Sequence, residues 1–573
     1  MTPTRRRAAA SSKLFRSISH PDCEKRKKYG LALDTLTKTL YTRAIESKGA
    51  DGSNSASAFC VFGRSSDFCA SGGRSRASGG EDPRCRADRG AQQPEYARPV
   101  LVAGRTREPG TVFVCAAFWV DNPAPLCYVG AVSKHIMDRT STIQEFSSMN
   151  HFDTFQREAK AALRVALQWF FLAVPTGLVC GLVGTLFHLS VECVTELRAA
   201  QPWLLFLLPA AGLLITALYK KTKCEGVGTN NVIRAVQSGE PVSILLVPAI
   251  FLGTVLTHLC GGSAGREGAA LQMGGSIGWN LGTLLHLKDY DRRTATISGM
   301  AAFFSALFGT PLAAALFAMT IEDVGLTFTS AFVPAFTSAL IAYGCSLTFG
   351  IAPTRFALTA PELTVWNSFL IILLGVACAA VSRLFCGTLH FMEHTMPKRI
   401  PNPWVRVLAG SVLVIGFSYL FGVGRYNGAG MNVITAAVEQ GQALPWDFLC
   451  KIFLTALTLS CGFKGGEVVP SFFVGATFGC AFGPLLGLPA GFAAAVGLVS
   501  VFCGATNALI PSILLGFELF GGAGLELIAL GCGICYMLSG HHGLYSSQTF
   551  VTNKLRAEYM SHKWRVRVKK GEE

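Results

Sequence analysis

An all-α membrane domain built from two repeated halves, behind a largely disordered basic N-terminal region, is the fold class that three features of the sequence predict. The first is composition: 573 residues are 50% hydrophobic and only 15% charged, where a soluble chain carries roughly 25% charge. The second is where the charge lies. Residues 1–150 hold 23 Lys and Arg against 14 Asp and Glu, whereas the remaining 423 residues hold 27 and 21. The third is a pair of glycine-rich breaks between membrane-length apolar runs, at 257–278 (THLCGGSAGREGAALQMGGSIG) and 461–470 (CGFKGGEVVP). The basic excess needs no nucleic-acid partner, because positive flanks on the cytoplasmic side of a membrane domain account for it.

Residues 1–150 read as a disordered basic extension. Ser, Arg, Gly and Pro dominate 50–110 without an apolar period, a composition that cannot bury enough surface to fold. MTPTRRR is followed by polar residues rather than by the apolar core of a signal peptide, and the run Thr111–Val120 is too short to span a bilayer. The stretch reads as a cytosolic tail, open to acidic partners, or as a non-native upstream extension of the reading frame. Its six cysteines (Cys23, Cys60, Cys69, Cys85, Cys115, Cys127) follow no metal or disulfide spacing. Cys532 and Cys535 form a CxxC inside an apolar helix, where packing outweighs redox or metal chemistry.

The membrane domain covers 155–556, with halves at about 155–350 and 363–540 and a basic tail at 557–573. In the first half an amphipathic lead-in (157–164) runs into an apolar stretch ending near Leu189, and a second span covers Trp203–Tyr219. Lys220, Lys221 and Lys223 then suggest a cytoplasmic end. A short Gly-opened helix follows (GVGTNNVIRAVQSG from Gly226), then a span at 243–260, the first break, and helices at 269–286, 297–322 and 327–349. After a Pro-containing joint at 351–362 the plan repeats, with spans at 364–394 and 404–422 and a short helix, GAGMNVITAAVEQG, from Gly428. A span at 446–461 leads into the second break, followed by helices at 471–487, 490–505, 508–520 and 524–539.

The repeat is visible in matched residues. Gly226, Gly228 and Asn230 recur as Gly428, Gly430 and Asn432; Cys260, Gly265 and Gly274 recur as Cys461, Gly466 and Gly475; Pro311 recurs as Pro511. Repeated halves with broken helices place a substrate site near the bilayer midplane, between the halves. Within the first break, Arg266 and Glu267 are expensive to bury and mark an ion or proton path. Glycines there leave backbone N–H groups unobstructed, and the N–H groups opening the next helix carry its positive dipole end. That combination makes an anion site without a lysine, where the bland alternative is a helix corner holding one salt bridge.

GSAGREGAALQMGGSIG (262–278), GFKGGEVVPSFFVGATFG (462–479) and GLYSSQ (543–548), in that order, resemble the chloride channel/transporter (CLC) family over about Phe155–Arg556. The resemblance implies an inverted-repeat bundle of many tilted and broken helices, a homodimer with one anion path per subunit, and termini on the cytoplasmic side. It implies transport of chloride or a similar small anion, gated by a protonatable glutamate, with the bilayer, the anion and protons as partners. An intramembrane enzyme or sensor would need a clustered nucleophile or metal set, and the apolar segments supply only scattered His258, Glu267, Glu322, Glu467 and Glu518, so no cofactor, metal or enzymatic reaction is expected. Only a short tail follows Arg556, so paired cytosolic regulatory (CBS) domains are not expected.

Carried over to this sequence, Glu267 is the gating carboxylate, competing with anions and swinging aside when protonated. Tyr545 is the hydroxyl donor to the central anion, although a buried tyrosine needs a partner in any case. The backbone of Gly265, Arg266 and Gly268, and of Glu467, Val468 and Val469, faces the anion. Three positions depart from the family pattern. Val227 stands where the first anion motif carries a serine. Ile321 stands at the exchangers' internal glutamate, and the neighbouring Glu322 and Asp323 read as a solvated helix end. Glu467 replaces an apolar residue and resembles a fluoride-exporting branch, which has threonine where this chain has Val469. The alternative function is therefore fluoride/proton antiport, with Glu267 and Glu467 as a proton path; against a role for Glu467 stands neutralisation by Lys464. His258 reads as a hydrogen-bonded core residue, His541-His542 lacks metal partners, and Gly274/Gly278 and Gly475/Gly479 read as close helix packing.

Overall fold

A computed structural model describes residues 100–105, 111–118, 126–133, 140–325, 329–551 and 553–555, with side chains from residue 156 onward apart from 161 and 162. The chain divides into two compact units, Met1–Arg157 and Glu158–Glu573. In the first, β1 (Val100–Arg105), β2 (Thr111–Phe118) and β3 (Leu126–Ser133) form an antiparallel sheet in that order. Val102 lies opposite Cys115, and Cys115 opposite Val129. Within an extension expected to be largely disordered, these short runs rich in Val and aromatic residues suit paired strands. Residues 140–150 of that extension are helical, and the rest of it and the tail at 557–573 lie outside the described residues.

The second unit is helical and keeps one order of elements twice. Its first half comprises the part of α1 (Thr140–Ala200) from residue 158 onward, α2 (Leu208–Lys221), α3 (Thr229–Ser238), α4 (Leu246–Leu259), α5 (Glu267–Leu284), α6 (Asp289–Phe308), α7 (Pro311–Thr320) and α8 (Phe332–Thr348). Its second comprises α9 (Val365–Arg399), α10 (Pro403–Phe421), α11 (Met431–Glu439), α12 (Asp447–Ser460), α13 (Val468–Phe482), α14 (Ala490–Thr506), α15 (Leu509–Phe520) and α16 (Leu525–Leu538). Among the described residues, six helical segments are long and apolar enough to cross a bilayer. The 14-residue α4 and α12 reach only about 21 Å at 1.5 Å per residue, short of a ~30 Å hydrocarbon core. Phe171, Trp366, Val412 and Leu420 stand exposed on the outer faces, as lipid-facing side chains do.

Small residues let the breaks meet. A Cβ on Gly274 would lie 2.2 Å from the Gly299 carbonyl oxygen, and one on Gly475 would lie 2.2 Å from that of Gly497. So α5 crosses α6 at backbone contact, and α13 crosses α14 in the same way. Close packing thus explains both GxxxG spacings.

Two expectations need correction. The apolar run 297–322 is not one helix: Gly309, at φ +69°, closes α6 in a left-handed cap, and Pro311 opens α7, the positions where each residue is favoured. Nor are Glu322 and Asp323 a solvated helix end. Asp323–Val324 (β4) pairs in parallel with Thr549–Phe550 (β5). Glu322 is buried, and its carbonyl accepts from Thr549 N at 3.1 Å and Gln237 Nε2 at 3.1 Å. The C-terminal segment folds back over the end of α7, which helical periodicity alone cannot reveal.

Because the α5–α6 and α13–α14 crossings leave no room for a side chain, Gly274→Val and Gly475→Val should each destabilise the fold by about 3 kcal/mol. Loss of the monodisperse peak in detergent size-exclusion chromatography checks this, with Gly344→Ala, a position with open space around it, as the control that keeps its peak.

Candidate functional site

The site forms where the α4–α5 and α12–α13 corners touch. Gly265 N donates to Gly466 O and Gly466 N to Gly265 O, both at 2.7 Å, as an antiparallel bridge. Corresponding segments of the two halves thus run in opposite directions where they meet, as inverted repeats do. Gly466 has to be glycine, since a Cβ there would lie 2.3 Å from Gly268 N. Around this pair the halves are stitched further: Gly428 N to Gly262 O (2.9 Å), Ser263 Oγ to Tyr426 O (2.8 Å) and Lys464 N to Thr257 Oγ1 (3.2 Å).

Two helices start at the bridge, α5 at Glu267 and α13 at Val468, and neither has a side-chain cap. The first N–H groups of a helix have no partner within it, so both N-termini offer free donors. The Glu267 carboxylate fills that position. It is 1% exposed, accepts from Arg266 N at 2.9 Å, and lies against the amides of Glu267 itself and Val469. Arg266 Nε is 3.5 Å from its other oxygen. A side-chain anion thereby sits between the two helix starts, where a free anion would compete for the same N–H groups.

The other expected residues fall into place around it, with exceptions. Gly268 and Glu467 touch: the Glu467 Oε2 lies 3.1 Å from where a Gly268 Cβ would stand. Tyr545 is buried and its hydroxyl has no hydrogen-bond partner, with Glu467 and Glu267 the acidic groups acting on it. A buried orphan hydroxyl of this kind calls for a ligand or water. Val469 contributes an amide, and Val468 is buried beside it. Arg266 serves Glu267 rather than facing an empty anion position. Val227 lines a cavity next to Glu467, but its N–H donates to Cys224 O and that of Gly228 to Asn231 Oδ1, so neither amide is free.

Lys464 does not neutralise Glu467. Its ammonium lies over the Tyr219 ring, 4.3 Å from the centroid, because the corner directs it toward α2. Two contributors were missed from the sequence: Thr229 and Gln272. Gln272 Nε2 donates to Thr229 Oγ1 at 3.1 Å, and Gln272 Oε1 has no partner. Accepting that bond leaves the Thr229 hydroxyl proton available to the cavity, two residues after the position where Val227 lacks a hydroxyl. The threonine beside the GVG motif was the available signal. His258 is a core residue, its Nδ1 2.9 Å from Thr254 O. Among the described residues, no group of three or more His, Cys, Asp or Glu could hold a metal.

The model of the voltage gated chloride channel family matches residues 211–540, a span that runs from within α2 to the end of α16 and contains both corners. A chloride/fluoride channel protein from Pseudomonas syringae pv. tomato is 34% identical over 331 residues, covering 56% of this chain and 73% of the relative. A H(+)/Cl(-) exchange transporter, ClcA of Vibrio cholerae, is 28% identical over 341 residues, 55% of this chain and 72% of the relative. Among solved structures, a CLC-type fluoride/proton antiporter superposes with TM-score 0.65 at 34% identity, covering 67% of this chain and 98% of that one. A cyanobacterial Cl-/H+ antiporter superposes with TM-score 0.57 at 20% identity, covering 65% and 94%, and so speaks to the fold. With its helices broken at two facing glycine corners and a carboxylate held between them, the chain belongs to the voltage-gated chloride channel (CLC) family of membrane anion transporters.

Proposed function

We propose that this integral membrane protein carries a small anion past Glu267 in exchange for protons, with fluoride favoured over chloride, and leaves the anion chemically unaltered. One observation carries the reading: Glu467 stands beside Glu267 at the corner contact, so two buried carboxylates lie together while the Arg266 guanidinium pairs with Glu267. Buried charges without partners are costly, so anion binding and proton binding are set in competition for one group of donors. The two 34%-identical matches both carry fluoride in their names. In this reading Glu267 is the gate, Tyr545 and the amides of Arg266 to Gly268 and of Glu467 to Val469 hold the anion, and Glu467 takes part in proton movement; the Gly265 amide, expected to face the anion, is instead taken by Gly466 O.

Chloride transport is the second reading. Val227 and Val469 place apolar groups where hydroxyls stand in relatives of either kind, and a less strongly hydrated anion loses less in such a site. For the assembly we propose a homodimer, as the family resemblance implies. For orientation we propose cytoplasmic termini, because Lys220 and Lys221 end α2 and Lys398 and Arg399 end α9.

Purified full-length protein in proteoliposomes, with fluoride or chloride efflux and pH recorded together, separates these readings. Fluoride efflux should drive opposed proton movement, with chloride passing more slowly; equal efflux of both without a pH change would overturn antiport. Glu267→Gln keeps the side chain's size but cannot ionise, so its flux should no longer respond to pH and proton movement should fall about tenfold or more. Tyr545→Phe removes one orphan hydroxyl and no packing volume. It should weaken anion binding by about threefold to tenfold, the worth of one hydrogen bond, as measured by calorimetry, while the size-exclusion profile stays unchanged.

A further inference from the structure

Beside the glutamate pair lies a cavity of about 160 Å³ bordered by Asn230, Gln272, His390, Glu393, Lys464 and Glu467. Its two acids differ sharply in setting. Glu467 lies inside at the corner contact, whereas the Glu393 side chain is 75% exposed. The cavity therefore runs between a buried carboxylate and one in contact with solution. Gln272 Oε1 is buried without a partner on its wall, and an orphan acceptor in a roomy polar cavity is where ordered water sits.

His390 and Glu393 are three residues apart on α9 and share a helix face. His390 Nε2 is 2.7 Å from Gly543 O. A carbonyl oxygen only accepts, so Nε2 carries the hydrogen, and Nδ1 is left as the basic nitrogen. That nitrogen is 3.9 Å from Glu393 Oε2. The charged groups acting on Glu467 are Glu393 from α9 and Glu267 from α5, with the Tyr545 hydroxyl facing from the C-terminal segment. Glu393 in turn faces Lys464 from the α12–α13 corner as well as His390 on its own helix.

We propose that Glu393, with His390 beside it, collects protons from the solution on the α9 C-terminal side and delivers them through the cavity to Glu467. The step is a proton transfer alone: the Glu393 carboxyl O–H bond breaks, a cavity water relays the proton, and an O–H bond forms on the Glu467 carboxylate. Glu393 regains a proton from solution, with His390 Nδ1 as a neighbouring acceptor. No redox partner or co-reactant is needed. This assignment rests on the antiport reading and gives it an inner proton route where the family's internal glutamate position is Ile321. Glu393 makes no contact that the fold requires, so its replacement reports on the route.

The test uses full-length protein in proteoliposomes and compares wild type with Glu393→Gln, Glu393→Asp and, as a control, Glu192→Gln, an exposed acid on α1. With a fluoride gradient driving protons, Glu393→Gln should slow proton movement about tenfold, and more as pH rises on the cavity side. Concentrated imidazole on that side, or the Asp variant, should restore it, and Glu192→Gln should match wild type. Wild type without proton movement overturns the antiport reading itself. Coupled wild type with an unaffected Glu393→Gln, or with a loss that neither imidazole nor aspartate restores, overturns the Glu393 route alone.

Discussion

Two reciprocal amide–carbonyl bonds, between Gly265 and Gly466 at 2.7 Å, hold the whole arrangement. They require both corners to be glycine, since any Cβ on Gly466 would strike the start of α5. They set the starts of α5 and α13 side by side, so that donors with no partner in their own helices converge. They also require α4 and α12 to stop short. A helix that crossed the bilayer completely would bury its terminus at the far surface, and no donors would be left in the middle.

Satisfying such a place is the central electrostatic problem of the fold. Free helix N-termini inside a low-dielectric region are costly unless something negative occupies them. Here the Glu267 carboxylate does so, tethered one residue inside α5. In the proposed mechanism the same donors become available to a mobile anion only when that carboxylate withdraws. Gate and site are then one set of N–H groups, and on that reading a protonatable residue controls ion movement without any larger rearrangement being built into the bundle. The nearby Arg266 guanidinium stays with the carboxylate, which keeps a fixed cation from trapping the anion.

Much of this was legible in the residues. The twofold order of elements, the two corners, Glu267 as the buried acid and the close glycine crossings all follow from local rules: apolar length, glycine at tight turns, ionisable groups at breaks. What could not be read required knowing which distant segment covers which. The break at Gly309 was hidden because the flanking runs are equally apolar. Glu322 looked solvated because nothing near it in sequence shows that residues 549–551 return to pair beside it. Lys464 looked like a counter-ion for Glu467 from spacing, yet the corner turns it onto Tyr219. Thr229 supplies a hydroxyl that the motif itself lacks, a compensation visible only once Gln272 is placed against it.

The segment bearing Tyr545 has no helix of its own and borrows its position from others. Gln237 of α3 grips both Ser547 O and Glu322 O, Asn230 accepts from Ser547 N, and Leu544 N reaches Ala505 O. A strand pair of only two residues each completes the hold. Short irregular segments of this kind are the first to open locally, so the tyrosine hydroxyl is the donor most exposed to fraying. If an anion sits where we propose, rigid helix starts supply the permanent part of its surroundings, and a lightly fastened chain end supplies the part that comes and goes.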